Sequence, residues 1–360
     1  MPPEHLVAVS GTRRETIAHL MEPLRPGTRV ALSTHINADG DGCGSQAGFA
    51  RLLRQMGVEA WIANPTPWPR MFGFLLGDDV QDRSDDGEAA LREADALVVL
   101  DIADLQRLGQ LADTVRSLSV PVLVIDHHQP GDEPIEGRIF SDTGACATGE
   151  LVFDIAQAMG LEITPDVATS LYVAILTDTG GFRFSNTTPR AHAVAARLLD
   201  AGVDPEEMYR RIYASVPIGK LRLLRDALES LEWDEDAGLA WISVEAGATQ
   251  RYQLRSEDLD GLVEHPRSIL GVRLALFFRD LGHGKVKVSF RSSGSVDANR
   301  LARRLGGGGH VKASGALVSG TLTEVRDRVV AAAREFLAEQ PEDPARPRIT
   351  GRSVPANHAP

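Results

Sequence analysis

The chain has 360 residues, enough for two domains with substantial cores, and its 43% hydrophobic content suits a soluble globular protein. A formal net charge of −12 argues against a protein that coats long nucleic acid by bulk electrostatics, because that affinity comes from neutralising many phosphates. A short phosphorylated substrate stays open, since bound cations would offset several of the carboxylates.

No apolar run approaches the roughly 18 residues of a bilayer span, so no membrane association is expected. The N-terminus, Met1-Pro-Pro-Glu-His5, has no basic stretch followed by an apolar segment, and no signal peptide is expected. Cys43 and Cys146 are the only cysteines, which excludes a disulfide framework and makes the cytoplasm the natural compartment.

Residues 12–200 read as alternating strands and helices, an α/β pattern that predicts a mainly parallel sheet flanked by helices. Arg29–Thr34 is a short apolar run, Gln46–Met56 has helical spacing after a glycine-rich turn, and Val58–Ala63 is a strand. Ala96–Asp101 is a strand, Leu105–Leu118 a helix and Val120–Asp126 a strand. Thr148–Met159, Pro165–Leu176 and Pro189–Ala201 read as helices, two of them with proline early, where it is tolerated. Residues 201–231 are charged and helically periodic and read as linker helices. A smaller α/β domain follows at 232–338. It opens on Leu231-Glu-Trp and Leu239–Val244 around a hairpin-like turn, with further β-like runs at Leu270–Arg279 and Lys285–Arg291. Helices at Val296–Leu305 and Thr323–Leu337 flank a glycine cluster. Residues 340–360 hold five prolines and little apolar content, and are expected to be disordered.

Four of these runs end in metal-ligand chemistry. The first ends in His35-Ile-Asn-Ala-Asp39-Gly-Asp41, the second in Asp101, the third in Asp126-His127-His128, and Leu171–Leu176 ends, after Thr177, in Asp178. Asp-Gly-Asp-Gly alone reads as a turn, and Asp101 alone as a helix cap. Jointly they predict a cage for two divalent cations, with the glycines letting the backbone turn and expose Asp39 and Asp41. Carboxylates with a minority of imidazole favour Mn²⁺ or Mg²⁺, and the histidines tilt the choice toward Mn²⁺. No cysteine pair is available for structural zinc. Two ions roughly 3.5–4 Å apart can activate water and hold both oxygens of an in-line displacement at phosphorus.

The Asp126-His127-His128 triplet, with His35-x3-Asp39-x-Asp41, Asp101 and Asp178, resembles the DHH phosphoesterase superfamily. Asp142–Glu150 is similar to that family's segment after the triplet, and Gly306-Gly-Gly-Gly-His310-Val-Lys-Ala-Ser-Gly315 to the signature of its associated substrate domain. The resemblance spans roughly residues 15–335 and is nearest to the nanoRNase and pAp-phosphatase group, which includes cyclic dinucleotide phosphodiesterases. It implies one ion on His35, Asp39 and Asp101, and another on Asp41, Asp101, His127 and Asp178, with Asp101 bridging. It further implies that His128 faces the scissile phosphate as a catalytic group and that Asp126 orients the histidines. Ala38 stands where the family has proline, which costs loop rigidity and no ligand. A homodimer is likewise only what the resemblance suggests.

Between His283 and Lys312, seven basic groups face the single acid Asp297. Arg291 ends a β-like run and is the best candidate there for a bidentate phosphate contact, whereas Arg300, Arg303 and Arg304 read equally as a solvated helix face. By resemblance, Arg291 and Gly307, Gly308, Gly309 and His310 bind the substrate end remote from the metals, across a cleft that would measure substrate length. Phe182, Arg183 and Phe184 read either as packing a base or simply as core and surface, the second being preferred, and Arg107 as a phosphate contact or an exposed helical arginine.

The expected function is metal-dependent hydrolysis of short nucleotide substrates: RNA fragments, 3′-phosphoadenosine 5′-phosphate, and linear or cyclic dinucleotides. Alternatives are a RecJ-like single-strand exonuclease, disfavoured by bulk charge and a missing extra domain, and a non-catalytic nucleotide-binding module. Inorganic pyrophosphatase is disfavoured by the glycine–histidine signature. A haloacid-dehalogenase phosphatase would leave the double histidine without a role.

Overall fold

The computed structural model describes residues 4–129, 131–259, 261–309 and 311–340, so the tail expected to be disordered lies, from residue 341 onward, outside the described residues. The chain divides into two compact units between Ala214 and Ser215. The stretch read as a linker is shared: helix Pro205–Tyr213 lies in the first unit and helix Ile218–Glu229 in the second.

The first unit carries β1 (Arg29–Ser33), β2 (Glu59–Ile62), β3 (Gln81–Asp82), β4 (Ala96–Leu100), β5 (Val122–Asp126) and β6 (Arg138–Ser141). They form one sheet in the order β3-β2-β1-β4-β5-β6, with every pairing parallel. All five residues of β4 are buried, as a parallel strand covered on both faces must be. Alternation divides the core. Val30, Leu32, Val98 and Leu100 pack beneath helices Gly40–Gln55, Thr148–Met159 and Pro165–Asp178, while Ala31, Leu97 and Val99 face Leu105, Leu108 and Leu111. Strand order reverses at β1, whose neighbours β2 and β4 are reached in opposite directions. Parallel sheets bind ligands outside the carboxyl ends of their strands at such a reversal.

Two expectations need correction. The glycine-rich turn after Asp39 is helical: the helix starts at Gly40, not Gln46. Its glycines serve close packing on helix Pro165–Asp178. A Cβ on Gly44 would sit 2.9 Å from the backbone nitrogen of Ala174, and one on Gly48 2.9 Å from Leu171 Cδ2. Asp41 is therefore buried, not exposed. The helix expected over Leu105–Leu118 is a 3₁₀ segment, Leu105–Leu111, followed by a short α-helix, Ala112–Ser117. Gly109 breaks the run at φ 53°, its missing Cβ making room for Ile36.

The second unit forms a six-stranded sheet from β7 (Glu232–Asp234), β8 (Leu239–Val244), β9 (Leu274–Asp280), β10 (Lys285–Ser292), β11 (Gly308–Gly309) and β12 (Ala313–Ser319). Its order is β11-β12-β10-β9-β8-β7, antiparallel except for β8 against β9. Val286, Val288 and Phe290 alternate inward along β10, and helix Leu322–Ala338 covers that face with Val325, Val329 and Phe336. A capping box of Thr321 and Glu324 starts this helix.

Candidate metal centre

The carboxyl ends of β1, β4 and β5 deliver the first group of candidate ligands. His35 follows β1, Asp101 directly follows β4, Asp126 ends β5, and His127 and His128 come next. Two helix ends supply the remainder. Asp39 caps helix Gly40–Gln55, its Oδ1 accepting from the N–H groups of Asp41 and Gly42 at 3.1 Å each. Asp178 is the last residue of helix Pro165–Asp178. A helix N-terminus stabilises carboxylates and a helix C-terminus attracts cations, so both ends suit a metal site.

All six sequence-predicted ligands converge. Ligand atoms of His35, Asp39 and Asp101 lie within 4.8 Å of one another, as do those of Asp41, His127 and Asp178, and those of Asp101, His127 and His128. Asp101 joins the groups. Its Oδ2 lies 3.4 Å from His35 Nε2, and its Oδ1 lies 3.6 Å from His127 Nε2. His35 Nε2 also stands 3.6 Å from Asp39 Oδ2, and His127 Nε2 stands 3.6 Å from Asp41 Oδ2 and 3.7 Å from Asp178 Oδ2.

Those separations exceed a hydrogen bond, and the Nε2 atoms of His35 and His127 are buried without a hydrogen-bond partner. Each ring is nonetheless oriented from behind, His35 Nδ1 against the Ile36 carbonyl at 2.9 Å and His127 Nδ1 against the Ala145 carbonyl at 3.2 Å. In the neutral ring, donation from Nδ1 leaves Nε2 with its lone pair aimed into the acids, the arrangement of a metal-ligating imidazole. The donor set, mostly carboxylate oxygen with two imidazole nitrogens, fits divalent cations of the Mn²⁺ or Mg²⁺ type.

Electrostatics shows the same demand. Burial pushes the Asp41 carboxyl well above its ordinary range, aided by the charges of Asp101, Asp178 and Asp39. Burial, with Asp101 and Asp39, lifts Asp178 to about 6 against the pull of His127. Burial works against the charge on His35, but the neighbouring carboxylates of Asp101 and Asp39 prevail and hold it at about 10. Asp39, despite desolvation, is held at about 2 by His35 and by the two helix N–H groups. Without cations, acids and imidazoles here must share protons to coexist.

His128 is placed differently. Its Nδ1 pairs with Asp126 Oδ1 at 2.8 Å and stands 3.7 Å from Asp101 Oδ1. Burial opposes its charge, yet Asp126 and Asp101 raise its pKa, and His128 in turn lowers that of Asp126.

The segment after the triplet contains groups that sequence reading missed. Thr148 donates its N–H to Asp41 Oδ2 at 2.6 Å and its hydroxyl to Asp101 Oδ1 at 3.0 Å, and Gly149 N–H reaches Asp41 Oδ1 at 3.0 Å. Ala147 has no side chain to cap helix Thr148–Met159, so the Asp41 carboxylate caps it from a distant part of the chain. Asn186 Nδ2 spans Asp178 Oδ2 at 3.1 Å and the Cys146 carbonyl at 2.9 Å. Arg190 anchors the segment through Glu150 at 2.8 Å, and Glu150 accepts from the Cys146 N–H. The resemblance of Asp142–Glu150 to a family segment was the one available signal. Asp101 itself sits at φ 67°, a left-handed conformation disfavoured for a residue with a Cβ. Cys43 and Cys146 are buried and unpaired, and burial raises both thiols, so neither is an activated nucleophile.

The other expected contacts lie in the second unit. Arg291 is paired with Glu264 at 3.3 Å and also donates to the Phe290 carbonyl. Gly308 and Gly309 pair with β12, and the absence of a Cβ on Gly307 and Gly309 is what lets that strand approach. A Cβ on Gly308 would meet only Asn299 Oδ1, at 4.0 Å. His310 lies outside the described residues. In the basic cluster, Arg304 pairs with Glu339, and Lys312 donates to the Val296 carbonyl.

Residues 29–175 match the DHH family, N-terminal domain, and residues 244–339 match the DHHA1 domain. A bifunctional oligoribonuclease and PAP phosphatase, NrnA, of Thermus thermophilus is 37% identical over 86% of this chain and 90% of its own. The chain belongs to the DHH family. Among solved structures, this DHH-family chain is similar to an exopolyphosphatase-related protein from Bacteroides fragilis, at TM-score 0.82 and 27% identity, covering 91% of this chain and 98% of that one. RecJ from Thermus thermophilus, at TM-score 0.54 and 18% identity, covers 93% of this chain but 56% of RecJ, and shares the fold. Among the described residues, no helix of the DHH-family chain is long and apolar enough to cross a membrane.

Proposed function

We propose that this DHH phosphoesterase hydrolyses short nucleotide substrates: RNA fragments of a few nucleotides, 3′-phosphoadenosine 5′-phosphate, and linear or cyclic dinucleotides. The observation that carries the reading is Asp101, which turns one carboxylate oxygen to His35 and the other to His127. His35, Asp39 and Asp101 would hold one divalent cation, and Asp41, Asp101, His127 and Asp178 the other. Two imidazoles among the ligands favour Mn²⁺ over Mg²⁺. Bound there, the pair supplies hydroxide at neutral pH and offsets charge on the phosphoryl oxygens.

The protein's own groups complete the site. Asp126 holds the His128 imidazole at Nδ1 and favours its charged form, so His128 keeps a proton at Nε2 to donate to a phosphoryl or leaving oxygen. Thr148, Gly149 and Asn186 fix the rotamers of Asp41, Asp101 and Asp178, which keeps the ligand set organised before substrate arrives. In the second unit, Arg291, Gly307, Gly308, Gly309 and His310 are assigned to the substrate phosphate remote from the reaction. Gripping it would contribute to rate through orientation. The relative's name, oligoribonuclease and PAP phosphatase, supports this substrate class.

The decisive experiment is a product profile with Mn²⁺ on a dinucleotide, a pentanucleotide, 3′-phosphoadenosine 5′-phosphate, cyclic di-AMP and a long single-stranded DNA. Turnover of the short substrates, lost in Asp101→Ala, is expected. Preference for the long strand would instead favour a RecJ-like exonuclease, and tight binding without turnover a binding module.

A further inference from the structure

The turn that follows Asp178 is built at a conformational cost. Gly180, Gly181 and Phe182 stand at φ 58°, 71° and 62°, three successive left-handed residues, one of them bulky. The turn sends two phenylalanines in opposite directions. Phe182 folds inward against His192 and Tyr172, with ring centroids 5.0 and 6.3 Å away. Phe184 stays 54% exposed. Its ring lies on Gly180, where an added Cβ would come within 2.6 Å of Phe184 Cε2, so the glycine is what seats the ring. Arg183 Nε donates to the Gly180 carbonyl at 2.5 Å and pins the same turn. The ring is also held near the metal centre from both sides in sequence. Gly180 is two residues beyond Asp178, and Asn186, two residues beyond Phe184, touches the Asp178 carboxylate at 3.1 Å.

A single exposed apolar residue needs no explanation by itself. Here a strained backbone holds a planar face in solvent close in sequence to Asp178, while its neighbour two positions earlier is half-buried against the core. We propose that Phe184 is a stacking platform for the nucleobase next to the scissile phosphate, a specificity-determining contact of the catalytic unit. This rests on the reading of the site as a nucleotide phosphoesterase. Stacking tolerates any base, since every base has a π-face, so Phe184 would select nucleotides over other phosphodiesters without selecting sequence.

The test uses the full-length protein with Mn²⁺ and two substrates, a 5′-phosphorylated dinucleotide and its counterpart abasic at the nucleotide beside the scissile phosphate. In Phe184→Ala, the preference for the base-bearing substrate, as a ratio of kcat/KM values, is expected to fall by about 5- to 150-fold, chiefly through KM. Phe184→Trp keeps the preference, and Phe184→Leu, apolar but without a π-face, loses it. Mn²⁺ binding by calorimetry is expected to match wild type in all three. An unchanged ratio in Phe184→Ala, recovery by leucine, or loss of Mn²⁺ binding would each overturn the stacking role while wild type still turned over the dinucleotide. A wild-type protein inactive on every nucleotide would instead sink the phosphoesterase reading beneath it.

Discussion

Thr148 donates its hydroxyl to Asp101 at 3.0 Å, and the same residue's N–H reaches Asp41 at 2.6 Å. One residue at the start of a helix thereby fixes Asp101, which faces both His35 and His127, and Asp41, which faces His127. Removing the hydroxyl alone separates the two contacts. Thr148→Val is expected to weaken Mn²⁺ binding about 10- to 100-fold, the usual cost of losing a group that orients a ligand, and Thr148→Ser to restore most of it. Isothermal titration calorimetry of the three proteins decides the matter.

Asp101 holds both a strained backbone and a crowded charge, which sets function against stability. Asp101→Gly removes the left-handed penalty, about 1 kcal/mol, together with a carboxylate among carboxylates. In EDTA the variant should unfold at higher urea concentration than wild type while hydrolysing nothing. A lower midpoint would show that the Thr148 contact outweighs the strain.

Metal affinity should rise with pH, and the sign follows from the metal-free site. His35 stays protonated up to about 10, and its neutral form is the ligand, so binding near neutral pH expels that proton. Affinity for the ion on His35, Asp39 and Asp101 should therefore increase about tenfold per pH unit between pH 6.5 and 8.5. Below about 6, Asp178 binds a further proton, and the dependence of the neighbouring ion should steepen. Proton release measured by calorimetry in buffers of different ionisation enthalpy should be positive throughout, and flat affinity across that range would refute the assignment of His35.

Gly44 tests the helix crossing. Alanine ordinarily stabilises a helix relative to glycine, by roughly 1 kcal/mol, but here its methyl would press on the Ser170 carbonyl and the Ala174 nitrogen. Gly44→Ala should therefore destabilise the protein, by about 1–3 kcal/mol, and Gly73→Ala, where nothing lies within 4 Å, should not. Urea denaturation of both variants gives the comparison.

The clustering of acids and histidines was legible because apolar strands that stop abruptly at Asp101 and Asp126-His127-His128 leave few explanations for the polar residues that follow. Parallel topology was legible from the alternation of strand and helix. Thr148 and Asn186 were not, since their roles depend on backbone groups and on partners far away in sequence, 107 residues in the case of Thr148 and Asp41. Gly40–Gly48 misled because glycine marks a turn and a close helix contact with the same letter, and only the facing helix tells them apart. The two-residue strands Gln81–Asp82 and Gly308–Gly309 carry no apolar periodicity and exist through pairing with a neighbour.

The glycine face of helix Gly40–Gln55 reaches beyond core packing. That helix presents Asp39 and Asp41 at its beginning, and the partner it crosses carries Asp178 at its end. The gap between the two rods would therefore act as a ruler for the spacing of the two proposed cations, set by missing methyl groups rather than by adjustable loops. A bulkier residue deep in that seam would detune the chemistry without touching a single ligand.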